Sequence, residues 1–259
     1  MFFSKYLFKM IPIKLRLIRE QNRIYTFVLK LISKLQRGPE VYIFHDILER
    51  KEEVKSEFAL SQASFEAFLS AQIRNRHTPL TFFQLTQQIE GKKTKLKNSF
   101  YVSFDDCNTS VYTRAYPFLK QHNIPFILFI TKDLIGKKNF LTAEQIMIMA
   151  KDPLCTIGSH GVNHKMFRYF SQDEAKTEFE FSRRHLQQLT GQAIDCFAFP
   201  YGRLVEVSCT NIKQLEQTEY KFAFSAISGN LKQQWLSGKY YLPRINVSEK
   251  HTHKYSNAF

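Results

Sequence analysis

Seven short, continuous apolar runs punctuate this chain and limit what it can fold into. They are 41–44 (VYIF), 100–104 (FYVSF), 126–130 (FILFI), 154–158 (LCTIG), 195–199 (DCFAF), 221–226 (KFAFSA) and 241–245 (YLPRI). None alternates apolar with polar residues, which suits strands buried on both faces, as in a parallel sheet. Helix-patterned stretches at 64–75, 109–122, 142–150, 171–190 and 203–219 separate most of them, with Ser64, Thr109, Thr142 and Ser171 as N-cap candidates. Alternating strand and helix predicts an α/β fold with a parallel sheet. Seven strands permit a seven-fold relative of the eight-stranded barrel. The length of 259 residues fits one domain plus an appendage, and 25 Phe with 12 Tyr can fill a sizeable core.

The appendage is expected at residues 1–40, with the main domain at 41–259. Nine Lys or Arg stand against Glu20 and Glu40 in that arm, which supplies half of the chain's net charge of +14. Leu15, Ile18, Ile24, Phe27, Val28, Leu31 and Leu35 recur at helical steps until Gly38-Pro39 breaks the pattern. Such a basic amphipathic helix either lies on an anionic membrane surface or packs on the domain with its basic side solvated. Charge confined to an arm, without a recognition motif, argues against a nucleic-acid partner. The segment 91–97 (GKKTKLK) reads as an exposed basic loop. Charges interrupt the apolar residues from Lys5 to Arg23, so no signal-peptide core forms, and no run is long enough to span a membrane. Cys107, Cys155, Cys196 and Cys209 form no CxxC pair, which reads as a reducing compartment. A cytoplasmic protein, peripheral to the inner membrane face if the arm binds lipid, is the expectation.

Chemistry collects immediately after the strands. His45 and Asp46 follow the first, Asp105 and Asp106 the second, His160 through His164 the fourth, and Pro200-Tyr201-Gly202 the fifth; Arg244 sits near the end of the last. In parallel barrels the C-terminal strand ends share one face, where reactive residues converge. Singly, each group has an ordinary explanation. Asp105-Asp106 could cap a helix, His160 and His164 could be solvated, and Pro200-Tyr201-Gly202 could be only a turn. Together, one carboxylate and two imidazoles make a three-ligand site for a borderline divalent metal, and a second carboxylate stays free as a base.

These residues resemble a known family. Ser103-Phe104-Asp105-Asp106 is similar to the T-F-D-D motif of the polysaccharide deacetylases, also called the NodB-homology family. His160 and His164 match its H-x-x-x-H motif, and 197–202 (FAFPYG) resembles the F-A-Y-P-Y-G form of its third motif. The similarity covers about residues 41–247. It implies a distorted (β/α)7 barrel in which Asp105 is the general base, Asp106, His160 and His164 hold a divalent metal, usually zinc, and the Tyr201 N–H stabilises the oxyanion. The substrate implied is an acetylated carbohydrate and the reaction is removal of its N-acetyl group. De-O-acetylation by the same site, or a non-catalytic carbohydrate-binding role, are the alternatives.

The sequence departs from the family pattern in three places. Cys107 follows the Asp pair where glycine is usual, so either the side chain crowds that turn or the backbone avoids positive φ. Phe197 replaces the arginine that orients the catalytic Asp; Arg244, from the far side of the barrel, is the expected substitute, the alternative being a surface salt bridge. The later motif carrying the acid histidine is missing. In the branch resembling poly-N-acetylglucosamine deacetylases that histidine lies near the start, and 43–47 (IFHDI) looks like that element, making His45 the expected general acid. His77, His122, His185, His251 and His253 fit less well, while Asp46 is expected to point away from the site.

Overall fold

The computed structural model describes residues 24, 27, 38–92, 98–234, 238–250 and 252. The arm read at 1–40 and the basic loop at 91–97 thus lie largely outside the described residues; Ile24 and Phe27 are helical and exposed.

The strands are β1 (Glu40–Phe44), β2 (Asp46–Leu48), β3 (Ala59–Ser61), β4 (Thr78–Pro79), β5 (Ser99–Asp105), β6 (Phe126–Ile130), β7 (Cys155–Ser159), β8 (Cys196–Ala198), β9 (Phe222–Phe224) and β10 (Ile245–Asn246). The helices are α1 (Gln62–Arg74), α2 (Phe82–Ile89), α3 (Tyr116–Gln121), α4 (Ala143–Ala150), α5 (Gln172–Thr190) and α6 (Cys209–Leu215). The main sheet runs β10-β1-β5-β6-β7-β8-β9, with β4 beside β5. Every one of its ladders is parallel. A parallel bridge between Phe224 and Leu242, followed by β10 on β1, joins the last segment to both sheet edges. The sheet therefore closes as the distorted seven-membered (β/α) barrel.

Burial on both faces explains the continuous apolar strands. Inward residues Val41, Tyr101, Ile127, Phe129, Cys196, Ala198, Phe222, Phe224 and Leu242 fill the barrel. Their neighbours, including Phe44, Phe104, Leu128, Ile157 and Phe197, pack outward against helices. α2 contributes Leu85 and Ile89 to the inner cluster, and Phe82 meets Phe222 at 5.9 Å, so this helix plugs the N-terminal end. That leaves the C-terminal end for chemistry.

Several boundaries differ from expectation, each for a physical reason. Thr142 and Ser171 cap α4 and α5 in full capping boxes with Gln145 and Glu174. Ser64 is not a cap: Ser61 takes that place and accepts the Ser64 N–H, so α1 starts earlier. Thr109 is not one either. Its hydroxyl donates to Phe140 O at 2.9 Å, and the helix beyond opens with a π-turn, Val111–Ala115. The helix expected at 203–219 shrinks to α6 because the Arg168 guanidinium binds the carbonyls of Leu204, Val205 and Val207, removing them from any helical ladder. The strand expected at 241–245 pairs only at Leu242 and from Ile245 onward; Pro243 between them has no N–H to give. α2, with its Thr81–Gln84 capping box, and the β2–β3 pair were not foreseen. All four cysteines are free thiols. Among the described residues no helix is long and apolar enough to cross a membrane.

Candidate active site

Strand register fixes which side chains face the barrel axis. On β5, Tyr101, Ser103 and Asp105 alternate inward, so Asp105 ends its strand at the mouth of the barrel. Arg244 lies two residues after inward-facing Leu242 and meets it there. The guanidinium is fully buried, with Nη1 at 2.7 Å from Asp105 Oδ1 and Nη2 at 2.8 Å from Oδ2. Nε donates to Ser225 O at 2.9 Å and Nη1 also to Ser103 Oγ at 3.2 Å. The cation lies 5.2 Å from the Phe129 ring centroid and 5.7 Å from that of Phe224. A forked pair sealed from water holds the carboxylate in one orientation. Burial alone would raise the Asp105 pKa, but Arg244 and then His160 outweigh it and hold the carboxyl below its usual range. The surface salt bridge weighed for Arg244 is excluded by this burial.

After Asp105 the chain turns sharply, with Asp106 and Cys107 both at φ 62°. Cys107 thus accepts positive φ rather than avoiding it. Its thiol turns into the core, 3.4 Å from Phe129 O. Left-handed backbone at a non-glycine costs about 1–3 kcal/mol and persists where packing over-determines it. The turn swings Asp106 away from the axis toward β7's exit loop. His160 Nδ1 is tied to Ala198 O at 2.7 Å, which leaves Nε2 free to face Asp106 Oδ1 at 3.6 Å and Asp105 Oδ2 at 3.9 Å. His164, at φ 56°, brings Nε2 to 2.9 Å from Asp106 Oδ1. Among the described residues, Asp106, His160 and His164 form a group whose ligand atoms lie within 4.8 Å of one another.

This trio suits a divalent cation. Asp106 Oδ1 is buried and, among the described residues, has no well-aligned donor, which leaves it open to a cation beside the two Nε2 atoms. The bond from His160 Nδ1 to a carbonyl fixes the tautomer that offers Nε2. Burial pushes the His160 pKa down to about 4, keeping it neutral. Burial opposes charge on His164 too, but adjacent Asp106 outweighs it and raises that pKa.

His45 follows β1 at the level of Asp105, since Phe44 pairs with Phe104. Its ring packs edge-on against half-exposed Phe58 at 5.0 Å, and its Nδ1 is buried without a partner among the described residues. Burial lowers its pKa, partly opposed by Asp105 and Asp106. Asp46 points elsewhere, accepting from Ser110 Oγ at 2.5 Å. Tyr201, at φ 62°, lays its ring 4.9 Å from His164, and its N–H finds no acceptor among the described residues. Gly202 holds this turn: at φ 63°, an added Cβ would come within 2.5 Å of Ala226 N. Glu178 was missed by sequence reading. It approaches the His160–His164 loop from α5, and mid-helix it looks like any solvated acid.

Fold and site together define a parallel α/β barrel with a candidate divalent-metal centre at the C-terminal ends of its strands. The chain belongs to the polysaccharide deacetylase family, whose profile matches residues 92–223. It is 27% identical over 178 residues to the poly-beta-1,6-N-acetyl-D-glucosamine N-deacetylase of Staphylococcus aureus (strain MRSA252), covering 61% of this chain and 58% of that protein. This chain spans about three fifths of the length of the curated relatives it matches. In fold it is similar to IcaB from Ammonifex degensii, with a TM-score of 0.70 and 21% identity over 85% of this chain and 96% of that one. It is likewise similar to the Streptococcus pyogenes deacetylase PplD, with a TM-score of 0.71 and 20% identity over 85% of this chain and 97% of that one.

Proposed function

We propose that this chain is a metal-dependent hydrolase that removes N-acetyl groups from an amino sugar in a polysaccharide or glycoconjugate. The observation that carries the reading is the convergence of Asp106, His160 and His164 beside a carboxylate, Asp105, that a buried arginine keeps charged and oriented. Two imidazoles and a carboxylate suit a borderline divalent ion such as zinc. Bound by this trio, the ion would supply Lewis acidity, lowering the pKa of a water and polarising the acetyl carbonyl.

Asp105, held ionised by Arg244, takes the proton of the attacking water. The Tyr201 N–H, which has no acceptor of its own among the described residues, donates to the carbonyl oxygen as charge develops there. His45 hands a proton to the departing amine as the carbon–nitrogen bond breaks, giving acetate and a free amino sugar. The kinship to a poly-N-acetylglucosamine N-deacetylase supports an N-acetylated substrate. The basic arm at 1–40 is the element we propose for contact with an anionic membrane at its cytoplasmic face.

Acetate release from a panel of N- and O-acetylated oligosaccharides, with and without added zinc, tests this reading. Zinc-dependent release from N-acetylated members is expected. Release from O-acetylated sugars alone would reassign the bond cleaved, and none from any sugar would favour the carbohydrate-binding alternative.

A further inference from the structure

The segment joining His160 to His164 belongs to no helix or strand, yet both imidazoles must hold one relative position for a cation to bind. Its carbonyls are tied to the loop after β6: Lys132 N donates to Gly161 O at 3.1 Å and Asp133 N to Val162 O at 2.8 Å. Its donors turn the other way, toward α5. Val162 N donates to Glu178 Oε2 at 2.7 Å, and Asn163 Nδ2 to Glu178 Oε1 at 2.6 Å. Gly161 N donates to Ser159 Oγ at 3.2 Å, which in turn donates to Ser182 Oγ at 2.7 Å, one helical turn beyond Glu178. Asn163 Oδ1 accepts from Lys165 N at 3.1 Å, carrying the tie past His164.

Glu178 is 6% exposed and forms no ion pair among the described residues. A buried carboxylate without a cation is costly unless hydrogen bonds fill its oxygens, and here the loop fills both. The fit is close. Gly161 sits at φ 82°, and an added Cβ would lie 3.1 Å from Glu178 Oε2.

We propose that Glu178 is a positioning residue for the metal centre: its carboxylate clamps the 161–163 backbone so that His160 and His164 face the same point. The inference rests on the metal reading of the Asp106, His160 and His164 cluster. Replacing Glu178 frees two donors at once and leaves the loop tied to α5 through the Ser159–Ser182 hydroxyl pair. Glu178→Gln keeps an acceptor for Val162 but turns an amide N–H toward the Asn163 amide, so one tie survives.

The test is zinc titration by calorimetry of the chelator-stripped full chain, beside thermal melts. Glu178→Ala should weaken zinc binding about 10- to 100-fold, the usual effect of losing support behind a metal ligand, with Glu178→Gln in between. If the Ala variant does not fold, the Gln variant decides. Glu174→Ala is the control: Glu174 caps the same helix, accepting from Ser171 N at 2.7 Å, and among the described residues makes no hydrogen bond to the loop. It should lower the melting temperature and leave zinc affinity unchanged. Zinc affinity within twofold of wild type in both Glu178 variants would overturn the proposal. So would a Glu174→Ala loss as large as that of Glu178→Ala, which would mean general loosening of α5. A wild-type chain that binds no zinc would sink the metal reading itself, an outcome distinct from either.

Discussion

With its guanidinium sealed from water and both Asp105 oxygens engaged, Arg244 cannot be removed without leaving a buried carboxylate unpaired. Arg244→Leu should therefore destabilise the protein by about 3–5 kcal/mol in urea unfolding and abolish turnover. A loss under 1 kcal/mol would mean that water reaches Asp105 and replaces the pair. Phe197 in place of the family arginine was the sequence signal for this contact. If His45 is the general acid, as proposed, His45→Ala should cut turnover about 10²–10⁴-fold while bound metal stays at the wild-type level. His160→Ala should lose both metal and activity. Metal analysis beside rate measurement distinguishes them, and near-normal turnover of His45→Ala would show that the acid lies elsewhere. Cys107 is the residue least legible in advance, since whether its backbone would take positive φ depended on room for the thiol beneath Phe129.

Elements transmit such details across the barrel. On β7, Gly158 faces inward, where an added Cβ would come within 2.6 Å of the Phe129 ring and 3.2 Å of Cys196 Sγ. Phe129 in turn lies against the Arg244 guanidinium. Gly158→Ala should cost about 1–3 kcal/mol by overpacking and lower activity through a displaced Arg244. Unfolding and rate measurements check both, and unchanged activity would show that the ring can shift without moving the arginine. Helix starts were legible where a capping side chain had no competing partner, as at Thr142 and Ser171. They were misread where the hydroxyl was claimed from elsewhere in the fold, as Thr109 is by Phe140 O.

At the scale of the whole molecule, the face that gathers the chemistry is the end that α2 leaves open. The arm is a separate question of charge. If residues 1–40 bind anionic lipid, flotation with phosphatidylserine vesicles should carry the full chain and leave behind a chain starting at Glu40, with salt weakening the interaction. Equal partitioning of both would rule the arm out as an anchor. A chelator should silence the proposed acetate release and a divalent cation restore it; activity that survives exhaustive chelation would remove the metal from the mechanism.

The sequence by itself determined the alternation of buried strands with helices, the order of the motifs and their place at strand ends. Those are local properties of apolar runs, turn residues and spacing, which the chain carries wherever it goes. It also marked Asp105, Asp106, His160 and His164 as a chemical set and Arg244 as the counter-charge. Only the tertiary structure decided what depends on partners distant in the chain. It closed the barrel through the bridge between Phe224 and Leu242, because Pro243 breaks that last strand and its two halves pair with different edges, β9 at Leu242 and β1 from Ile245. It shortened α6, because Arg168 claims the carbonyls a helix would need. And it set Glu178 against the histidine loop, a contact no helical period announces, because the donors that satisfy it come from the loop beyond β7.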